Sequence, residues 1–158
     1  MEFARQLASQ FREVYLDGKW VVNTNLRAEL MGISHKQAMT KIGSLNSIAA
    51  LAYHLNYYVV GVKEYLQKNE LTIRDQFSFD LPPIATEDEW MEFLDQMWKE
   101  AEEFARHVES MSQSDLEQTF VKETYGNYLR NVHVIIEHTY YHLGQIVLIK
   151  KLLQENFQ

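Results

Sequence analysis

Two histidines, His138 and His142, stand four residues apart in the run EHTYYHLGQI, residues 137–146, which otherwise reads as the inside of a helix. Residues at i and i+4 share one helical face, about a turn apart, so both rings can reach a single ion at about 2.0–2.1 Å. His54, in SIAALAYHLNYY, sits between Leu51 and Leu55 on another apolar helical stretch and is the best candidate for a third ligand. Three imidazoles leave an open position on a four- or five-coordinate ion, the arrangement of a catalytic rather than a structural site. The zincin pattern HExxH is not met, because HTYYH lacks the glutamate that would act as base. A competing reading stands beside this one: a histidine on an apolar helical face is more often a hydrogen-bonded core residue than a ligand.

Gln145, three residues beyond His142, can hydrogen-bond a ligand's free N–H or a metal-bound water, or else face a neighbouring helix. Tyr57, Tyr58 and Tyr141 lie near the three histidines along their helices and are candidate proton donors, although most tyrosines here read as core and groove packing. Gly144 would permit close helix approach, His35 and His107 lie in polar surroundings and read as solvated, and His133 falls on another face. No catalytic residue is assigned.

These residues must be carried by helices. Gly and Pro are few, and Pro82-Pro83 is the only strong breaker. Four main helices are predicted. The first spans about 2–16, with Phe3, Leu7, Phe11 and Val14 on its stripe and Asp17-Gly18 as the turn. A connector over 19–43 holds shorter pieces, LRAEL capped by Asn23 or Thr24 and HKQAM capped by Ser34. The second helix covers about 45–67 along Leu45, Ile48, Leu51, Leu55, Val59 and Val62. Residues 71–85 alternate like a strand in places but have no pairing partner, so an extended loop is expected. Thr86 with Glu89 makes a capping box opening the third helix, which runs to about 110 along Trp90, Leu94, Met97, Ala101, Phe104 and Val108. After a polar stretch the fourth runs from about Asn127 to Gln154, with Ile135, His138, His142, Ile146 and Ile149 on one inward stripe. The expected fold class is an all-α four-helix bundle with a crossover connection, one domain over 1–158.

Composition narrows the function classes. The 158 residues suit one domain and contain no cysteine, which removes disulfides, zinc-thiolate sites and cysteine nucleophiles together. A net charge of −7 without a Lys/Arg cluster argues against nucleic acid as a partner. The apolar runs are too interrupted for a membrane span. MEFARQLASQFREVY already alternates like an amphipathic helix, with no basic-then-apolar signal, so a cytoplasmic protein is expected.

Taken together, Ser47-Ile48 followed six residues later by His54, and His138, His142 with Gly144-Gln145, resemble the DinB-like family of YfiT-type four-helix-bundle metalloproteins, above all its bacterial branch. The similarity of order and spacing covers most of the chain. Relatives commonly carry tryptophan before the Ser-Ile, where this chain has Asn46. The resemblance implies one divalent ion per chain, zinc or nickel, held by His54, His138 and His142, and a homodimer. The three-histidine site together with the resemblance leads to the expectation of a transferase acting on a small-molecule substrate through a low-molecular-weight thiol activated at the metal, while the resemblance itself implies no substrate. The alternatives are a metal-dependent hydrolase and a non-catalytic, metal-binding dimeric interaction or stress protein.

Overall fold

Helix formation begins at once, because Ala4, Leu7, Ala8 and Phe11 repeat on one face and all are buried in α1, Glu2–Arg12. Phe3, expected on that stripe, is exposed instead; the smaller Ala4 takes the inward position. The helix then loosens into a π-turn over Glu13–Asp17, which buries the consecutive residues Val14, Tyr15 and Leu16 and ends where Gly18 N–H donates to Glu13 O at 3.1 Å. A Cβ at Gly18 would overlap Glu13, so this turn requires glycine. The description is of a computed structural model and covers residues 2–156.

The two short helices of the connector match the sequence reading only in part. α2, Leu26–Leu30, is capped by Asn25, whose side chain accepts from Ala28 N, and not by Asn23 or Thr24. Asn23 is left-handed at φ 57°, and the Thr24 hydroxyl is spent on Glu29 Oε1 at 2.6 Å. α3, His35–Met39, has the expected Ser34 cap, completed as a capping box by Gln37. Trp90 Nε1 donates to Ile33 O at 3.0 Å and ties this connector to the long helix that begins at Glu87.

α4 runs Ile48–Lys68. It starts three residues later than expected because Ser47 accepts from Ala50 N as its cap, leaving Leu45 outside the helix and exposed. Left-handed Asn69 closes it. Residues 71–85 form no strand; their only regular piece is a 3₁₀ turn over Asp75–Phe77. α5, Glu87–Ser110, has the Thr86/Glu89 capping box, and its six predicted seam residues are all buried. The polar stretch beyond it contains a short helix not expected from periodicity, α6, Gln113–Glu117, capped by Ser112 with Asp115. α7, Tyr128–Asn156, completes the chain.

The fold is all-helical, with seven α-helices among the described residues and a single isolated β-bridge, Thr119 to Asn127. α1 packs on α5, α5 on α4, α4 on α7, and α7 on α1, enclosing one core of which Phe11, Tyr15, Trp90 and Phe104 are the largest members. Lys63, buried on α4, reaches Glu100 and Glu103 of α5. Burial works against its ammonium, yet the hydrogen bonds it donates to the two carboxylates outweigh that cost and leave the pKa raised. No helix among the described residues is long and apolar enough to cross a membrane.

Candidate metal centre

The facing of α4 and α7 brings His54, His138 and His142 into one cluster, with one ring nitrogen of each within 4.8 Å of the others. His138 Nε2 lies 3.1 Å from His54 Nε2 and 2.8 Å from His142 Nε2. Two nitrogens bound to one tetrahedral ion at about 2.0–2.1 Å stand roughly 3.3 Å apart, so little adjustment is needed to hold one.

The outward nitrogens explain why these faces converge. His54 Nδ1–H donates to the Ser78 carbonyl at 3.2 Å, and His142 Nδ1–H donates to Gln145 Oε1 at 2.6 Å. Both acceptors fix the proton on Nδ1 and leave Nε2 as a lone pair. Two lone pairs then point at His138 Nε2, where one proton satisfies only one of them well. A cation at the centre relieves this mismatch, so the donor set fits a divalent ion. Burial favours the neutral form of all three imidazoles, the form that ligates. Burial, followed by the neighbouring imidazoles, pushes His138 down to about 4; burial leads the lowering at His54, joined by His142, and at His142, where Gln145 opposes it.

A ring of aromatic contacts fixes the geometry. Phe79 stacks on His54 with centroids 4.0 Å apart. Tyr58 stands edge-on to both His54 and His138, at 5.1 and 5.3 Å, and its hydroxyl donates to Asp75 Oδ1 at 3.0 Å. Tyr57 does not enter the site: its hydroxyl accepts from Arg74 N–H and donates to Arg74 O, which anchors the 71–85 loop to α4. Tyr141 is exposed and stands edge-on to the His142 ring at 4.9 Å. Gln145 thus orients the His142 ring, while of the three tyrosines Tyr58 and Tyr141 adjoin the histidines and Tyr57 holds the loop.

Other expectations need correction. Gly144 is exposed with nothing near the position of a Cβ, so no close approach occurs there. The close approach is at Gly61 on α4, where a Cβ would overlap the Ile73 side chain. His35 is not simply solvated: its Nε2 is 2.8 Å from Ile84 O, and its backbone N–H donates to Glu87. His107 is half-buried beside Met111 and Tyr128, with its pKa lowered by desolvation. His133 stays outside the cluster, as its helical phase requires.

Residues with no sequence signal complete the surroundings. Ser78 and Phe79 come from the proline-containing loop, whose backbone contribution no side-chain pattern announces. Arg130 and Glu137 pair at 2.9 Å beside a cavity of about 450 Å³ into which His138, Tyr58 and Tyr141 also face. The chain finds no match among family models, curated proteins or solved structures.

Proposed function

We propose that the chain is a four-helix-bundle metalloprotein of DinB-like type, with a crossover connection, in which His54, His138 and His142 hold one zinc or nickel ion for transfer of a low-molecular-weight thiol. The observation that carries the reading is the convergence of three Nε2 atoms while two of the Nδ1 atoms are held by carbonyl oxygens. When bound, the ion supplies Lewis acidity that makes a thiolate available at neutral pH.

The chain's own residues supply position. The cavity beside His138 has the apolar floor Val134 and Ile135, walls of Tyr58 and Tyr141, and the Arg130–Glu137 pair, whose two charges suit the ammonium and carboxylate of an amino-acid-derived thiol. Phe79 covers the His54 ring and limits water on that side. In the transfer, sulfur bonds to an electrophilic carbon, the leaving group departs with the bonding pair, and the thiol proton passes to solvent.

Elemental mass spectrometry on untagged wild type and His54→Ala tests the centre: roughly one ion per chain is expected in wild type and none in the variant. Conjugation of cysteine or glutathione to a chromogenic aryl halide should be lost with it. Wild type that remains metal-free after exposure to zinc and nickel overturns the proposal. A hydrolytic reading is favoured by one observation, the Glu137 carboxylate in the same cavity as a candidate base. Chelator-sensitive ester turnover that disappears in Glu137→Gln would select it.

A further inference from the structure

A second cavity, of about 370 Å³, adjoins the first and shares Tyr58, Val134 and Ile135 with it as walls. Its body is apolar, formed by Val62, Ile73 and Phe120. Both cavities fall in the size range of small-molecule sites. Their charged borders differ. Arg130 beside the first is neutralised by Glu137. Arg74, which lines the second, makes no ion pair among the described residues, and neither does Lys122, whose ammonium lies 4.5 Å from the centroid of the cavity-lining Tyr125 ring. Asp75 is the one carboxylate on this lining, and it already accepts from Tyr58. In a chain of net charge −7, Arg74 on the lining and Lys122 over the ring of the lining Tyr125, neither in an ion pair among the described residues, face one carboxylate, Asp75, and this net positive border suits an anion.

We infer that this second cavity binds a small aryl or alkyl monocarboxylate, its apolar body among Val62, Ile73 and Phe120 and its carboxylate toward Arg74 and Lys122. Tyr58, at the junction, separates this ligand from the histidine cluster by a single side chain. Its role as the electrophilic partner of the thiol rests on the proposed transferase reading; its binding does not. The walls are firmly set: Ile73 is seated against Gly61, and the Arg74 backbone is clamped by Tyr57.

The test uses 3-phenylpropionate and its uncharged counterpart, 3-phenylpropionamide, titrated by NMR into full-length protein, zinc-loaded and chelator-treated, with metal content measured in parallel. Wild type should prefer the carboxylate about five- to tenfold, as expected for a charge-assisted contact near solvent. Arg74→Gln combined with Lys122→Gln should abolish that preference, while Arg130→Gln should keep it. The cationic side chains are peripheral, so folding is checked by an unchanged melting profile. Equal binding of acid and amide, no binding of either, or a preference that survives the double substitution overturns the inference. Charge-dependent binding to protein that takes up no metal would uphold this cavity and defeat the transferase reading; one bound ion without carboxylate preference would do the reverse.

Discussion

Replacing Gln145 by leucine removes the acceptor of His142 Nδ1–H while nearly preserving side-chain volume. His142 is 7% exposed, so water cannot readily take the place of Oε1 at 2.6 Å. The bare N–H costs about 1–3 kcal/mol if left unmet. The ring can avoid that cost by moving its proton to Nε2, toward His138 Nε2 at 2.8 Å, but it then presents a proton where the ion must bind. Either route disfavours the loaded state, since the N–H becomes a stronger donor once its ring ligates. The expected loss of zinc or nickel affinity is about 10–100-fold, or about 1.4–2.8 kcal/mol. Gln145→Glu keeps the acceptor and adds charge, so it should bind at least as tightly as wild type. Chelator competition at pH 7.5, alongside melting curves, measures both. Gln145→Leu that folds and binds within about twofold of wild type would refute the orienting role.

The metal-free protein should lose stability as pH falls from about 6.5 toward 4, because its cluster histidines bind fewer protons folded than unfolded over that window; urea midpoints at pH 7.5, 6 and 5 should slope less in His138→Gln, and equal slopes would contradict this. Lys63→Met leaves Glu100, with its side chain 16% exposed, facing Glu103 without a cation, and should cost about 2–4 kcal/mol, a melting drop of about 5–15 °C. A drop under 2 °C by calorimetry would show that the pair contributes little. Gly61→Ala gains about 1 kcal/mol in helix propensity but must displace Ile73, for an expected net loss of about 0–2 kcal/mol. A variant that melts higher than wild type by calorimetry would show that Ile73 yields without cost.

Much of this architecture could be read from spacing. The α5 seam is buried at every predicted position, and the His138/His142 pair faces His54 because 3.6-residue periodicity places all three on inward stripes. The connectors were less legible. Asn23, Thr24 and Asn25 are all competent caps, and only tertiary competition selects the third: the backbone turns left-handed at the first, and Glu29 takes the hydroxyl of the second. Phe3 is exposed because Ala4 beside it takes the inward position, and Leu45 precedes the Ser47 cap and so falls outside α4. The second layer of the metal centre was half visible. Gln145 follows from i, i+3 geometry, whereas the Ser78 carbonyl belongs to the main chain and depends on a loop path that no periodicity encodes.

That loop touches the histidines directly through residues 78 and 79, one by a carbonyl that every amino acid possesses and the other by a stacked ring. Its upstream half, including Ile73 and Arg74, lines the second cavity without being hydrogen-bonded to any of the three histidines. Inheritance can therefore act on the two halves separately. Substitutions over residues 71–73 would then reshape the second cavity and leave the Ser78 and Phe79 contacts to His54 as they are, so a lineage, or a designer, could exchange this stretch as a cassette without touching the histidine cluster.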